Sequence, residues 1–134
     1  MLHVLGHSGW EHYIGNMLML LVVGPPCEAR YGSGRLGLAM LATALVSGLL
    51  HWALFPGTAL LGASGIVFML IILSSFAGAG RGELPLTLLL VLVLYLGGEL
   101  VSMLTVRDNI SHLSHILGGL CGAGFGFLFR PRQA

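Results

Sequence analysis

Residues 60–78 read LLGASGIVFMLIILSSFAG, nineteen positions without a charged side chain, and this stretch decides the fold. A helix rises 1.5 Å per residue, so a run of this length nearly crosses the ~30 Å hydrocarbon core of a bilayer. In that medium a helix satisfies its own backbone polar groups, which an isolated strand or loop cannot do. The run opens on the small residues Gly62-Ala63-Ser64-Gly65 and continues as aliphatic and aromatic side chains. Further stretches of the same kind lie on both sides of it. They are separated by Tyr31-Gly32-Ser33-Gly34, Phe55-Pro56-Gly57-Thr58, Gly80-Arg81-Gly82-Glu83 and Arg107-Asp108-Asn109, all rich in turn-forming residues.

Five spans result, helices a to e, over about 11–27, 36–54, 60–78, 84–105 and 110–129. Gly24-Pro25-Pro26 is expected to end or kink helix a, because proline cannot donate to the helical ladder. The expected fold is an all-α, polytopic transmembrane bundle forming a single membrane domain over residues 1–134. Composition agrees: 56% of residues are hydrophobic and 8% charged, against about 25% charged in soluble domains. A net charge of +1, with no lysine and no basic run, excludes a nucleic-acid footprint and a polybasic lipid-binding segment. Cys27 and Cys121 show neither metal-type nor CxxC spacing, so they point to no metal and are expected to be unpaired thiols. The opening Met1-Leu2-His3-Val4-Leu5-Gly6-His7 lacks the basic region and long apolar stretch of a cleavable signal.

Basic residues in short loops stay on the cytoplasmic side. Arg30 and Arg35 follow helix a, Arg81 follows helix c, and Arg130 and Arg132 follow helix e, whereas only Arg107 falls on the opposite side. Helices a, c and e therefore run from outside to inside. This topology brings the polar residues near their starts to similar outer depths: His12 and Asn16 in helix a, Ser64 in helix c and His115 in helix e. Gly118, Gly122 and Gly126 share a helical face with His115. Small residues so spaced let two backbones approach in lipid, which predicts a c/e pair with Ser64 near His115.

A serine hydroxyl becomes nucleophilic when a neighbouring base removes its proton, and neutral imidazole suits that work near pH 7. No aspartate is placed to orient His115, so a dyad is expected rather than a triad. The Asn16 amide and His12 imidazole, one turn apart, could join the Ser64 backbone amide in stabilising an oxyanion.

At these residues the chain resembles the rhomboid family of intramembrane serine proteases. His12-Tyr13-Ile14-Gly15-Asn16 is similar to the family's HxxxN, Glu28-Ala29-Arg30 with Gly32 to its ExR turn, Gly62-Ala63-Ser64-Gly65 to its GxSG, and His115-Ile116-Leu117-Gly118 with Gly122 to its HxxGxxxG. The resemblance implies Ser64 as nucleophile, His115 as base, and His12 and Asn16 as oxyanion donors. It further implies transmembrane protein substrates, no cofactor, and a multi-pass setting, expected to be a bacterial plasma membrane with the site toward the outside. The family's first transmembrane helix has no counterpart here. Phe68 stands where some members carry a tyrosine packed on the catalytic histidine, and Ser114 where alanine is usual.

Plainer readings stand beside these. His112 competes with His115 as base but lies closer to the interface; His51 is expected to pack at the interface, and His3 and His7 to belong to outer-loop structure. Glu99, in helix d, suits either a substrate gate or a buried hydrogen bond. For the whole chain the alternatives are a non-catalytic protein that binds transmembrane clients and a small proton-coupled transporter. The first would typically lack the serine or the histidine, and the second would spread polar residues through the membrane depth.

Overall fold

The computed structural model describes residues 2–6, 9–79, 93, 97, 101 and 109–129. A 3-10 turn at Leu2–Leu5 precedes four α-helices, α1 (Trp10–Tyr31), α2 (Ser33–Leu54), α3 (Ser64–Ala79) and α4 (Asn109–Leu128), with no strand among the described residues. The span expected over 84–105 lies outside them except at Val93, Gly97 and Val101, which are helical.

α3 is the central helix, packed on α1, α2 and most extensively on α4. Its residues Ile66, Val67, Met69, Leu70, Ile71 and Leu73 are all buried. α1 turns a single stripe toward it, Asn16, Met19, Val23, Cys27 and Tyr31, spaced at three and four residues as one helical face requires. The outer faces are apolar: Leu21 is 72% exposed, Trp52 77% and Phe127 81%, whereas Asn16, Thr43, Ser47, His51, Ser64, Ser74, Ser114 and His115 are buried. Water would penalise such an exterior, and lipid would not.

Two helix boundaries differ from expectation. The first helix does not end at Gly24-Pro25-Pro26; α1 carries both prolines and continues to Tyr31. Beyond the prolines it is tied to α3, where the Cys27 thiol lies 3.6 Å from the Leu70 carbonyl and the Tyr31 hydroxyl donates to the Leu73 carbonyl at 3.1 Å. These anchors offset the amide donors that the prolines lack. The expected four-residue turn after it shrinks to Gly32, at φ 85°, whose amide donates to the Glu28 carbonyl; the Ser33 hydroxyl donates to the Glu28 carboxylate at 2.6 Å.

The third span was expected from residue 60, but α3 starts at Ser64. Gly62 has φ +109°, a conformation that interrupts a right-handed helix, and the chain reaches it from α2 without regular structure after Gly57. Among the described helices, α2 alone is long and apolar enough by itself to cross a bilayer, and the apolar stretches 64–76 and 113–128 are shorter.

The α3/α4 contact is made through glycine. A Cβ on Gly118 would strike the Gly65 backbone, one on Gly122 would lie 2.5 Å from the Met69 carbonyl oxygen, and one on Gly126 would lie 2.6 Å from the Phe76 ring. Gly119, on the same helix, faces open space. Gly118→Ala and Gly122→Ala are each expected to destabilise the fold by about 1–3 kcal/mol or more, since backbone cannot yield as a side chain can. Gly119→Ala should be neutral or stabilising by up to ~1 kcal/mol. Thermal unfolding of the three variants in detergent checks this contrast.

Candidate active site

Ser64 is the first residue of α3. The first helical hydrogen bond runs from the Val67 amide to the Ala63 carbonyl at 3.0 Å, so the amides of Ser64, Gly65 and Ile66 precede the intrahelical ladder. Those donors, with the positive end of the helix dipole, favour negative charge forming beside the Ser64 hydroxyl.

His115 reaches the same region from α4. Phe68, one turn beyond Ser64, lies stacked on the His115 ring with centroids 4.5 Å apart and planes inclined by 11°. One turn beyond His115, Gly118 packs on the backbone of Gly65, the residue after Ser64. Two contacts thus bracket the pair, and both depend on residues singled out in the sequence. Phe68 keeps the aromatic platform without a hydroxyl, and a stack of this kind contributes about 0.5–1.5 kcal/mol beyond its buried area.

α1 supplies the third side. A Cβ on Gly62 would lie 2.6 Å from Cε1 and 2.8 Å from Nε2 of His12, and 3.5 Å from Nδ2 of Asn16. Only glycine leaves room for the His12 ring here, since a Cβ would collide with it while merely touching Asn16, and only glycine adopts this φ readily. Asn16 is 2% exposed, and its Nδ2 has no hydrogen-bond partner among the described residues. A buried amide donor left unpaired costs about 1–3 kcal/mol, so an unsatisfied donor beside Gly62 calls for a functional account.

His12, Asn16, Gly62, Ser64, Gly65, Phe68, His115, Gly118 and Gly122 therefore all lie along the contacts of α3 with α1 and α4, the first eight of them around the N-terminal end of α3. His51 is buried too, and its Nε2 lies 3.1 Å from the Thr58 carbonyl oxygen. The side chains of His3, His7, Glu99 and His112 lie outside the described residues. Sequence reading missed Ser47, whose buried Oγ lacks a described partner and lies near Gly65 together with the Ser114 hydroxyl. The available signal was its placement one turn before His51 on the same helix.

Comparison with known proteins bears on this arrangement. Residues 1–132 match the family model described as Rhomboid domain. Rhomboid-related protein 1 of Caenorhabditis elegans is 33% identical over 91% of this chain and 37% of its own length. Rhomboid-related protein 2 of Mus musculus is 30% identical over 93% of this chain and 45% of its own, and RHOMBOID-like protein 2 of Arabidopsis thaliana is 32% identical over 94% and 41%. The chain thus spans less than half the length of these curated relatives. No solved structure matches it. Relatives from a worm, a mouse and a plant lend no support to the expected bacterial plasma membrane.

Gly62→Ala should force the His12 ring away and slow labelling of Ser64 by a fluorophosphonate at least about tenfold, since small misplacements near a reacting group cost that much or more. Gly57→Ala is the control: Gly57 also has φ +89° but faces open space. Labelling that slows equally in both variants would trace the effect to backbone strain and not to the displaced ring.

Proposed function

The chain belongs to the rhomboid family of helical integral membrane proteins, and from that premise we propose that it is an intramembrane serine endopeptidase cleaving transmembrane proteins near the outer membrane face. The reading includes a single membrane domain with five spans, the fourth over about 84–105. It rests most on one observation: the aromatic ring one turn beyond Ser64 is stacked on His115, 4.5 Å between centroids.

In the proposed reaction the Ser64 hydroxyl oxygen attacks the scissile carbonyl carbon while His115 accepts the hydroxyl proton. The carbonyl oxygen, now negative, receives hydrogen bonds from the Asn16 amide, the His12 ring and the Ser64 backbone amide. Collapse breaks the carbon–nitrogen bond, and His115 returns its proton to the departing amine. Water, deprotonated by His115, then hydrolyses the acyl-enzyme and regenerates Ser64. The Asn16 Nδ2, which has no partner among the described residues, supports this assignment, because such a donor needs no rearrangement when charge develops.

A peptide must be locally extended to be cut, and extended backbone is costly in lipid unless protein or water satisfies it. Cleavage is therefore proposed close to the outer surface, in substrates whose helix is weakened there by glycine or proline.

The test follows cleavage of a single-span reporter by the purified chain in mild detergent. Ser64→Ala and His115→Ala should abolish cleavage with folding retained, and Asn16→Ala should lower kcat about 100- to 1,000-fold. A folded chain that neither cleaves nor reacts with a fluorophosphonate at Ser64 would overturn the protease reading in favour of client binding.

A further inference from the structure

The Ser64 nucleophile enters α3 from a connector that carries Gly62, and that connector is fastened at its start. α2 ends at Leu54, and the Phe55 amide donates back to the His51 carbonyl at 2.8 Å. After the turn at Pro56-Gly57, the Thr58 hydroxyl donates to the Phe55 carbonyl at 2.8 Å, and the Thr58 amide approaches the same oxygen at 3.3 Å. The His51 ring completes the closure. Its Nε2 lies 3.1 Å from the Thr58 carbonyl oxygen and 3.2 Å from the Thr58 hydroxyl, and its face meets the Phe55 ring at 5.7 Å.

Proton counting fixes the direction of that bond. The single Thr58 hydroxyl proton is committed to Phe55 at the shorter distance, and a carbonyl can only accept, so Nε2 carries hydrogen and donates to Thr58. The imidazole is buried, 6% exposed, so the bond is shielded from competing water.

We propose that His51 is a positioning residue for the active site: by holding the Thr58 carbonyl it sets the path of the connector, and hence the seating of Gly62 against His12 and Asn16 and the depth of Ser64. The proposal rests on the reading of Ser64 as nucleophile. Three residues, Ala59 to Leu61, separate the clamp from the glycine that abuts His12 and Asn16, and none of them lies in a helix or strand that could absorb a displacement. A slipped clamp would move the oxyanion donors relative to Ser64 and leave the α3/α4 interface, built on Gly118 and Gly122, intact. The expected signature is a loss of kcat without a matching loss of stability or substrate affinity.

The test uses side-chain reach. A glutamine amide nitrogen occupies the place of histidine Nε2, whereas an asparagine amide nitrogen occupies that of Nδ1. His51→Gln should therefore retain wild-type kcat, while His51→Asn and His51→Leu lower it by roughly 10- to 100-fold with KM and thermal midpoint held. Ser64 labelling by a fluorophosphonate should fall in parallel. If His51→Leu does not fold, the Gln/Asn pair carries the comparison alone. Equal kcat in these two variants, or His51→Asn at the wild-type rate, would overturn the proposal. Ser64→Ala, run alongside, separates this from failure of the protease reading, since residual cleavage in that variant would mean that Ser64 is not the nucleophile.

Discussion

The close approach of α3 and α4 is the constraint on which the rest of the structure depends. Lipid tails solvate apolar side chains as well as a neighbouring helix does, so helices in a bilayer associate through packing and hydrogen bonds and not through exclusion of water. Packing at backbone contact needs surfaces without side chains. Gly118 against Gly65 and Gly122 against Met69 supply two such contacts, and Gly126 against the Phe76 ring continues them along one helical face. The consequence reaches the chemistry directly, because Ser64 precedes the first of these contacts by one residue and His115 precedes it by one turn. An interface set by backbone atoms leaves little play, which on the proposed reading suits two groups that have to meet within hydrogen-bond range.

The same economy explains the inverted polarity. With leucine, valine and aromatic side chains facing outward, the interior is free to hold Ser64, His115, Asn16, Ser47 and His51 where their neighbours are fixed. At the opposite end of the molecule, Tyr31 and Cys27 tie α1 to α3 through the Leu73 and Leu70 carbonyls. α1 is thereby held at both ends, by those contacts and by the seating of His12 and Asn16 on Gly62. A helix anchored only at its far end could pivot, and the two donors would move with it.

Much of this was legible in the sequence, and for identifiable reasons. The glycine spacing after His115 has a direct geometric meaning, and the c/e pairing it predicts is the α3/α4 contact observed. Phe68 was expected to pack on His115, and it does. The misreadings concern tertiary contacts without a local signature. Two prolines argue against helix locally, and nothing near them announces the Tyr31 and Cys27 anchors that carry α1 beyond. The apolar run from residue 60 looks helical throughout, since an αL glycine at position 62 is indistinguishable in sequence from a packing glycine. His51 could be recognised as a histidine near a helix end, but its clasp on Thr58 depends on how the connector folds back.

The Asn16 donor, unpaired among the described residues, bears on why a stability cost at this position would persist. An amide buried at 2% exposure without a described partner costs about 1–3 kcal/mol, a substantial fraction of the margin by which a folded domain is stable. A resting hydrogen-bond partner would recover that energy, but the donor would then have to break a bond before serving an oxyanion. On the proposed reading the cost is carried in the resting state and recovered as charge develops, which lowers the barrier because the interaction is stronger in the transition state than in the ground state. Gly62 is what keeps the arrangement available: its missing Cβ makes space for the His12 ring beside Asn16, and its positive φ turns the chain into α3 at Ser64. One residue thus links the local backbone conformation, the packing of α1 and the electrostatics of the site, so steric and electronic requirements cannot be varied independently there.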